Sequence, residues 1–215
     1  HILTLAREYA PCYLYEYDVM RRQVETLRQA FPRYDLLYSI KANPFPPVVR
    51  ALAGLGLGAD AASAPEVLLS RRCGMAKADI FFSAAGKSDA ALEAAWDEGE
   101  IIADSLVEVA RIGALCEAKG QRRAIGVRMN PGFGMGGTVG GPSKFGINEE
   151  DLPQLKALLD TLPVTVEGIH VHLKSQNLDA DVLGGCYRDS WALAKRVQDA
   201  LACGMRYVNF GSGVG

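Results

Sequence analysis

The chain has 215 residues, of which 49% are hydrophobic and 22% charged, with a formal net charge of -2. This composition supports a large buried core and excludes a disordered chain. With a pI near 6.0, the chain has no basic field for nucleic acid, and no apolar run of about 18 residues predicts a bilayer span. Five scattered cysteines without a C-x-x-C pair favour reduced thiols and a cytoplasmic protein.

Short apolar runs alternate with helical periods along the chain. Ser63 and Glu66 form a capping box that begins one helix, and the helical spacing that starts at Leu106 ends at Gly120. Strands joined by helices imply a parallel sheet, because each return to the same direction needs a crossover. The predicted strands are 35–40, 58–62, 79–84, 100–104, 124–130, 166–173 and 206–211.

Two layouts follow from this alternation, and the first strand's loop distinguishes them. An open doubly wound sheet favours a glycine-rich turn after the first strand, but the sequence there is "KANPFPP". We therefore expect an α/β fold of the (β/α)8 TIM barrel type, interrupted after about seven strand-helix units. Functional residues of such barrels collect where strands end. The polar residues found there are Lys41, Asp60, Arg128, Asn130, His170, His172 and the final "GSGVG".

Each of these residues also has an ordinary structural explanation. Lys41 suits a solvated loop, Asp60 a helix cap and Arg128 a structural ion pair. His170 and His172, two apart on one predicted strand, face the same way and suit a metal site, although no acidic residue accompanies them at the usual ligand spacing. Taken together with a glycine-rich anion cradle, the set favours an aldehyde cofactor that carries a phosphate.

Six motifs carry a resemblance to a known family. "YSIKAN", "DAAS" followed by Glu66, "VRMNPG", "SKFGI", "HVHLKSQ" and "GSG" occur in the order found in the fold-type III pyridoxal-phosphate decarboxylases. That family includes diaminopimelate, ornithine and arginine decarboxylases, and the chain is most similar to the diaminopimelate decarboxylase-like branch, which has relatives in siderophore pathways. The resemblance implies an alanine racemase-like barrel, pyridoxal 5'-phosphate as cofactor and decarboxylation of an amino acid's α-carboxylate.

The resemblance also assigns roles to individual residues. It makes Lys41 the lysine of the internal aldimine, which we expect to be buried at the barrel mouth. It places Asp60 near that linkage, Arg128 near the cofactor, His172 stacked on the cofactor ring and Ser175 near the ring and phosphate. Lys41, His172 and Asp60 are the catalytic residues that it implies.

The phosphate loop and two lysines complete the predicted site. Gly211, Ser212 and Gly213 match the family's phosphate loop, although the family usually has three glycines there. Lys174 stands where the family usually has glycine, and strand alternation predicts that it shares a face with His172. It either binds an additional substrate carboxylate or closes the pocket by ion pairing, or else the strand ends and Lys174 turns into solvent. Lys144, in "SKFGI", is expected near the site or the dimer contact.

The resemblance further implies a two-domain homodimer with shared active sites. We expect residues 1–17 to belong to a second, β-rich domain, with 12–18 as a strand and Asp18 as the cap of the first barrel helix. Residues 18–215 would be the cofactor-binding barrel, incomplete at its C-terminus. We predict that the chain is part of a longer protein, because an unfinished barrel exposes a sheet edge and apolar faces.

Three other function classes remain open at this point. An alanine racemase-like isomerase would share the barrel and Lys41, but it lacks the "HVHxxSQ" pattern. A non-catalytic relative would regulate a true decarboxylase, which the presence of Lys41, Asp60 and His172 disfavours. A metal-dependent barrel hydrolase would use His170 and His172.

Overall fold

The computed structural model describes residues 2–141 and 143–211. Strands and helices alternate through most of these ranges. The strands are β1 Leu37–Ser39, β2 Gly58–Ala61, β3 Ile80–Phe82, β4 Glu100–Ala103, β5 Arg123–Asn130, β6 Ile147–Asn148, β7 Val164–His170 and β8 Tyr207–Asn209. The helices are α1 Ile2–Tyr9, α2 Tyr17–Ala30, α3 Pro46–Gly54, α4 Ala64–Arg72, α5 Asp89–Ala95, α6 Leu106–Lys119, α7 Leu152–Leu159 and α8 Ala180–Leu201.

The sheet is parallel, and its seven main strands curl into an incomplete barrel. Its order is β1-β2-β3-β4-β5-β7-β8, and the short β6 pairs only with the end of β5. All seven predicted strands are confirmed within a few residues of their expected positions. Parallel strands in chain order place every carboxyl end on one rim, which is where barrel enzymes bind their ligands.

Local signals fix several helix ends as the sequence predicts. The Ser63 hydroxyl accepts a hydrogen bond from the Glu66 amide at 3.4 Å, and the Glu66 carboxylate accepts one from the Ala62 amide at 2.7 Å. α6 ends at Gly120, whose φ of 61° is the left-handed conformation that glycine adopts without strain. Of the helices in the described ranges, none has the length and apolar character that crossing a membrane requires.

The core lies on both sides of the curled sheet. Apolar side chains of β4, β5 and β7 pack outward against α6, α7 and α8. Inside the curl, the ring of Tyr207 stands edge-on to Phe81, with ring centroids 5.0 Å apart. This ring crosses Gly168 so closely that a Cβ atom there would lie 2.3 Å from it, so the barrel interior requires glycine at that position.

The N-terminal segment differs from the prediction. Ile2–Tyr9 is a helix that we did not predict, and residues 12–16 form no strand in this structure. Asp18 is not the helix cap. α2 begins at Tyr17 with Glu16 as its cap, and Asp18 lies in its first turn. The assignment of residues 1–17 to a second domain stays a prediction.

Candidate functional site

A cavity of about 1790 Å³ opens inside the curled sheet and reaches the rim formed by the carboxyl ends of the strands. Its wall includes seven of the residues that the sequence singles out. Residues far apart in the chain therefore meet at one place, since parallel strands bring their ends together. The seven are Lys41, Asp60, Arg128, His170, His172, Ser175 and Gly211.

Lys41 projects from a tight turn directly after β1. The strand ends at Ser39, and residues Ile40–Ala42 form a single 3-10 turn anchored by the fully buried Ile40. The Tyr38 hydroxyl holds this turn by donating to the Asn43 carbonyl at 3.2 Å. Contrary to expectation, Lys41 is exposed rather than buried, because the strand is too short to carry it into the interior. Its amine lies open to the cavity.

Asp60 is held in place by two serines on the neighbouring strands. It lies on β2 opposite Ser39 of β1, whose hydroxyl is 3.5 Å from Oδ2. The Ser83 hydroxyl, just after β3, donates a short hydrogen bond to Oδ1. Ser83 is itself only 8% exposed, so this donor cannot turn to bulk water. The Asp60 carboxylate is therefore fixed beside the β1 turn that carries Lys41.

Arg128 extends from β5 toward the same cavity. Its Nη1 atom lies 3.4 Å from Oδ1 of Asp104, and its guanidinium lies 4.7 Å from the ring centroid of Phe145. Burial is the largest influence on Arg128 and lowers its pKa, whereas Asp104 and Asp60 act in the opposite direction. Arg128 thus presents a partly desolvated cation that an anionic ligand can reach.

The two histidines differ in position and environment. β7 ends at His170, which is 4% exposed, whereas His172 lies in the following loop. Burial, reinforced by Arg128, lowers the pKa of both imidazoles, and that of His170 falls to about 3. Nε2 of His172 lies 3.2 Å from the Ser175 hydroxyl. A lowered pKa favours the neutral imidazole, which suits a flat ring face packed on an aromatic ligand.

A metal centre at these histidines lacks ligands. Their ring centroids lie 6.3 Å apart. No group of three or more histidine, cysteine, aspartate or glutamate residues that could hold a metal occurs in 2–141 or 143–211. Since zinc sites use at least three protein ligands, the hydrolase alternative gains no support from the described residues.

Gly211 packs against both histidines at the end of β8. Its φ is +64°, and a Cβ atom there would lie 2.6 Å from Nε2 of His170 and 2.7 Å from the Val171 carbonyl oxygen. The Gly211 amide donates to Oδ1 of Asn209 at 2.9 Å. The turn is thus a tight backbone cradle, and the role of Gly211 in binding phosphate stays a prediction. Ser212 and Gly213, the other predicted phosphate-loop residues, lie outside the described residues.

The two remaining lysines stand apart from this group. Because β7 stops at His170, strand alternation does not extend to Lys174, and the expectation that it shares a face with His172 stays a prediction. Lys174 is exposed in the loop. Lys144 is exposed as well, with Nζ 5.0 Å from the ring centroid of Phe145. Neither lysine belongs to the described residues that line the cavity, whereas Phe145 does.

The sequence interpretation missed a buried ion pair beside the cavity. The Lys87 side chain has no exposed surface, and its Nζ atom lies 3.0 Å from Oε1 of Glu108. Glu108 also closes a second capping box with Ser105, with the same spacing as Ser63 and Glu66. That repeated spacing could have revealed Glu108 as a partner near a strand end. For Lys87, in the polar loop "AAGKSD", the sequence holds no comparable signal.

The arrangement defines a class of binding site. A primary amine that solvent can reach, a fixed carboxylate, a neutral imidazole face, an arginine and a glycine cradle fit a flat aromatic aldehyde that carries a phosphate. In this site Lys41 would hold the aldehyde carbon, His172 the ring face, and Gly211 with Arg128 the anionic end. The fold and the site together define a barrel domain that binds pyridoxal phosphate.

Comparison with known proteins gives the family. Residues 17–215 match the family described as "Pyridoxal-dependent decarboxylase, pyridoxal binding domain". The chain belongs to this family, in its diaminopimelate decarboxylase-like branch, and its cofactor is pyridoxal phosphate.

Individual relatives support the same assignment. The chain is 30% identical to the L-glutamyl-[BtrI acyl-carrier protein] decarboxylase of Niallia circulans, with 95% of this chain and 50% of the relative covered. It is 29% identical to the diaminopimelate decarboxylase of Bacteroides thetaiotaomicron, with 95% and 56% covered. The crystal structure of a Helicobacter pylori diaminopimelate decarboxylase mutant complexed with L-lysine has a TM-score of 0.82 at 25% identity, over 98% of this chain and 57% of that one. The chain spans about half the length of these relatives.

Proposed function

We propose that the protein containing this chain is a pyridoxal phosphate-dependent decarboxylase that removes the α-carboxylate of an amino acid. The single observation that carries this proposal is the convergence of Lys41, Asp60 and His172 on one cavity at the strand ends. When bound, the cofactor supplies an electron sink that lets the α-carboxylate leave as carbon dioxide. Residues of this chain take on several of the other tasks.

Lys41 provides the amine to which the cofactor is attached, and Asp60 provides a carboxylate that can exchange a proton. The Lys41 amine is exposed to the cavity, so both cofactor and substrate amines can reach it. Asp60 lies on the adjacent strand, and Ser83 holds one of its oxygens. Asp60 thus places a fixed carboxylate in the cavity that Lys41 also lines, where it can exchange a proton with a bound cofactor or substrate.

His172 and Ser175 control orientation. Burial and Arg128 lower the pKa of His172 and so favour its neutral form. The neutral ring provides a flat surface for the cofactor and does not compete with Arg128 as a cation for the cofactor's phosphate. The Ser175 hydroxyl at 3.2 Å holds that ring at one tilt. Orientation matters because the bond to the leaving carboxylate must stand perpendicular to the conjugated system.

For the substrate we propose an amino acid with a distal polar group, most like diaminopimelate. This choice is supported by the relatives, several of which are named diaminopimelate decarboxylases. A second candidate is a carrier-bound glutamyl group, because the relative from Niallia circulans is named for that substrate. A siderophore precursor is a third. We propose a homodimer with shared active sites as the assembly.

The test is an assay of the full-length protein with pyridoxal phosphate. Carbon dioxide release is measured with diaminopimelate, glutamate, a glutamyl-loaded carrier protein, lysine, ornithine and arginine, together with the chirality of the recovered amino acid. Release from one acidic substrate is the expected result. Inversion of configuration without carbon dioxide would assign the protein to the racemase-like class. Binding of the cofactor without turnover of any substrate would favour the non-catalytic relative.

A further inference from the structure

The guanidinium of Arg128 is held at the cavity wall by a carboxylate and by an aromatic ring. Its Nη1 atom lies 3.4 Å from Oδ1 of Asp104, which is longer than the roughly 2.8 Å of a strong charge-assisted hydrogen bond. Its central carbon lies over the ring of Phe145, 4.7 Å from the ring centroid, and this is within the roughly 6 Å over which an aromatic face attracts a cation. A long contact through one nitrogen atom leaves a planar group free to rotate, whereas a ring beneath it also restricts its tilt.

Both partners of this cation–π contact border the cavity. Arg128 and Phe145 line its wall, and the side chain of Arg128 is only 14% exposed. Cation–π attraction is strongest where water is excluded from the cation. The Nζ atom of Lys144 lies 5.0 Å from the same ring centroid, but that lysine is exposed, so water weakens the attraction. Arg128 is therefore the cation that this ring holds more strongly.

A close backbone contact fixes Phe145 over the strand that carries Arg128. The next residue, Gly146, has a φ of +82°, and a Cβ atom there would lie 3.0 Å from the Met129 carbonyl carbon and 3.2 Å from the Arg128 carbonyl oxygen. Glycine is thus needed for the segment to lie this close to the end of β5. Ile147 then pairs with Met129 and is 3% exposed. The core and the strand pairing together hold Phe145 in place.

We propose that Phe145 is a positioning residue for Arg128, because its ring keeps the guanidinium at the cavity wall, where the anionic end of the cofactor would bind. The inference rests on the proposed function, in which Arg128 meets that anionic end. Without the ring, Arg128 keeps its charge but samples more orientations. Binding an anion must then order the side chain again, and this ordering lowers the affinity.

The test compares two substitutions of Phe145 in the full-length protein. Phe145→Leu keeps an apolar side chain without an aromatic face, whereas Phe145→Tyr keeps the face. The dissociation constant of pyridoxal phosphate and the unfolding temperature are measured for each variant. Phe145→Leu is expected to weaken binding about three- to tenfold, the range for a cation–π contact that is shielded from water. Phe145→Tyr should bind within about twofold of the wild type, because it retains that contact.

A double-mutant cycle shows whether the ring acts through Arg128. Phe145→Leu is combined with Arg128→Gln, which removes the cation. In the Arg128→Gln background, Phe145→Leu should change the affinity by less than about twofold, because the interaction that it removes is already absent. Where Arg128→Gln binds too weakly to be titrated, the difference between Phe145→Leu and Phe145→Tyr decides alone.

The control is Val139→Ala, which removes an 88% exposed apolar side chain of the same loop, outside the described residues that line the cavity. It should leave binding unchanged. The inference is overturned if Phe145→Leu binds as the wild type does, if Phe145→Leu and Phe145→Tyr lose affinity equally, or if Phe145→Leu has the same effect in both backgrounds. Should Phe145→Leu not fold, Phe145→Met, which also lacks an aromatic face, replaces it. A wild-type protein that binds no pyridoxal phosphate would instead sink the proposed function itself.

Discussion

Nε2 of His172 lies 3.2 Å from the Ser175 hydroxyl, so an exposed loop serine holds the ring that faces the cavity. Ser175→Ala removes this contact without opening the core. We expect cofactor affinity to fall several-fold and the unfolding temperature to stay unchanged, since a single hydrogen bond contributes about 1 kcal/mol. Titration with pyridoxal phosphate measures the affinity, and thermal unfolding measures the unfolding temperature. Thr161→Ala, which removes an exposed hydroxyl outside the cavity, is the control. Unchanged affinity in Ser175→Ala would contradict this role.

The two serines that contact Asp60 should differ in importance. Ser83 is 8% exposed and makes a short hydrogen bond, whereas the contact from Ser39 is 3.5 Å, at the limit for such bonds. Ser83→Ala is therefore expected to lower the free energy of unfolding by about 1–3 kcal/mol, because it leaves a carboxylate oxygen without its donor. Ser39→Ala should lower it by less than about 0.5 kcal/mol. Urea unfolding of both variants measures the difference, and equal losses would refute the ranking.

His170 should make stability depend on pH. Its pKa is lowered to about 3 by burial and by the surrounding cations Arg128, His172, Lys87 and Lys41. In the unfolded chain the imidazole binds a proton near the ordinary value of about 6.5. Between these values the unfolded state binds more protons, so stability rises with pH and is lost as pH falls below about 6.5.

The variant His170→Gln isolates this contribution. Its stability should vary less steeply with pH than that of the wild type between pH 4.5 and 6.5, by up to about 1.4 kcal/mol per pH unit. Urea unfolding at several pH values gives both slopes. Parallel slopes would mean that His170 takes up a proton in the folded protein.

The strands were predictable and the site's surroundings only partly so. Short apolar runs bounded by glycine or proline located all seven main strands. The end of β7 was not visible, because the alternation in "HVHL" continues past His170, where pairing stops. α1 was not predicted, because its eight residues give only a short pattern and none of them is buried in the core.

Burial is where sequence reasoning fails most clearly. Lys41 was expected to be buried and is exposed, whereas Lys87, which lies in a polar loop, has no exposed side-chain surface. Local sequence does not set these environments, because they depend on Glu108, Ile102 and Ala84, which the fold brings around Lys87. Motif order identified the residues that meet at the cavity. Only the structure separates the exposed lysine from the buried one.

Two glycines with the same backbone conformation allow a matched comparison. Gly211 and Gly120 have φ of +64° and +61°, but an added Cβ would touch His170 at Gly211 and nothing within 4 Å at Gly120. Gly120→Ala is expected to lower stability by about 1–2 kcal/mol from backbone strain alone. Gly211→Ala should lower it further and weaken binding of pyridoxal phosphate about tenfold or more, since the cradle must shift. Unfolding and titration of both variants check this, and equal behaviour would show that the packing on His170 is unimportant.

The most direct measurement of the central claim is chemical trapping at Lys41. The full-length protein is incubated with pyridoxal phosphate, reduced with borohydride and digested, and the modified lysine is located by mass spectrometry. We expect the cofactor's mass to be added to the peptide that contains Lys41, and Lys41→Ala to abolish this label while leaving the protein folded. A label on another lysine, such as the buried Lys87, or an unchanged label in Lys41→Ala, would contradict the proposed site.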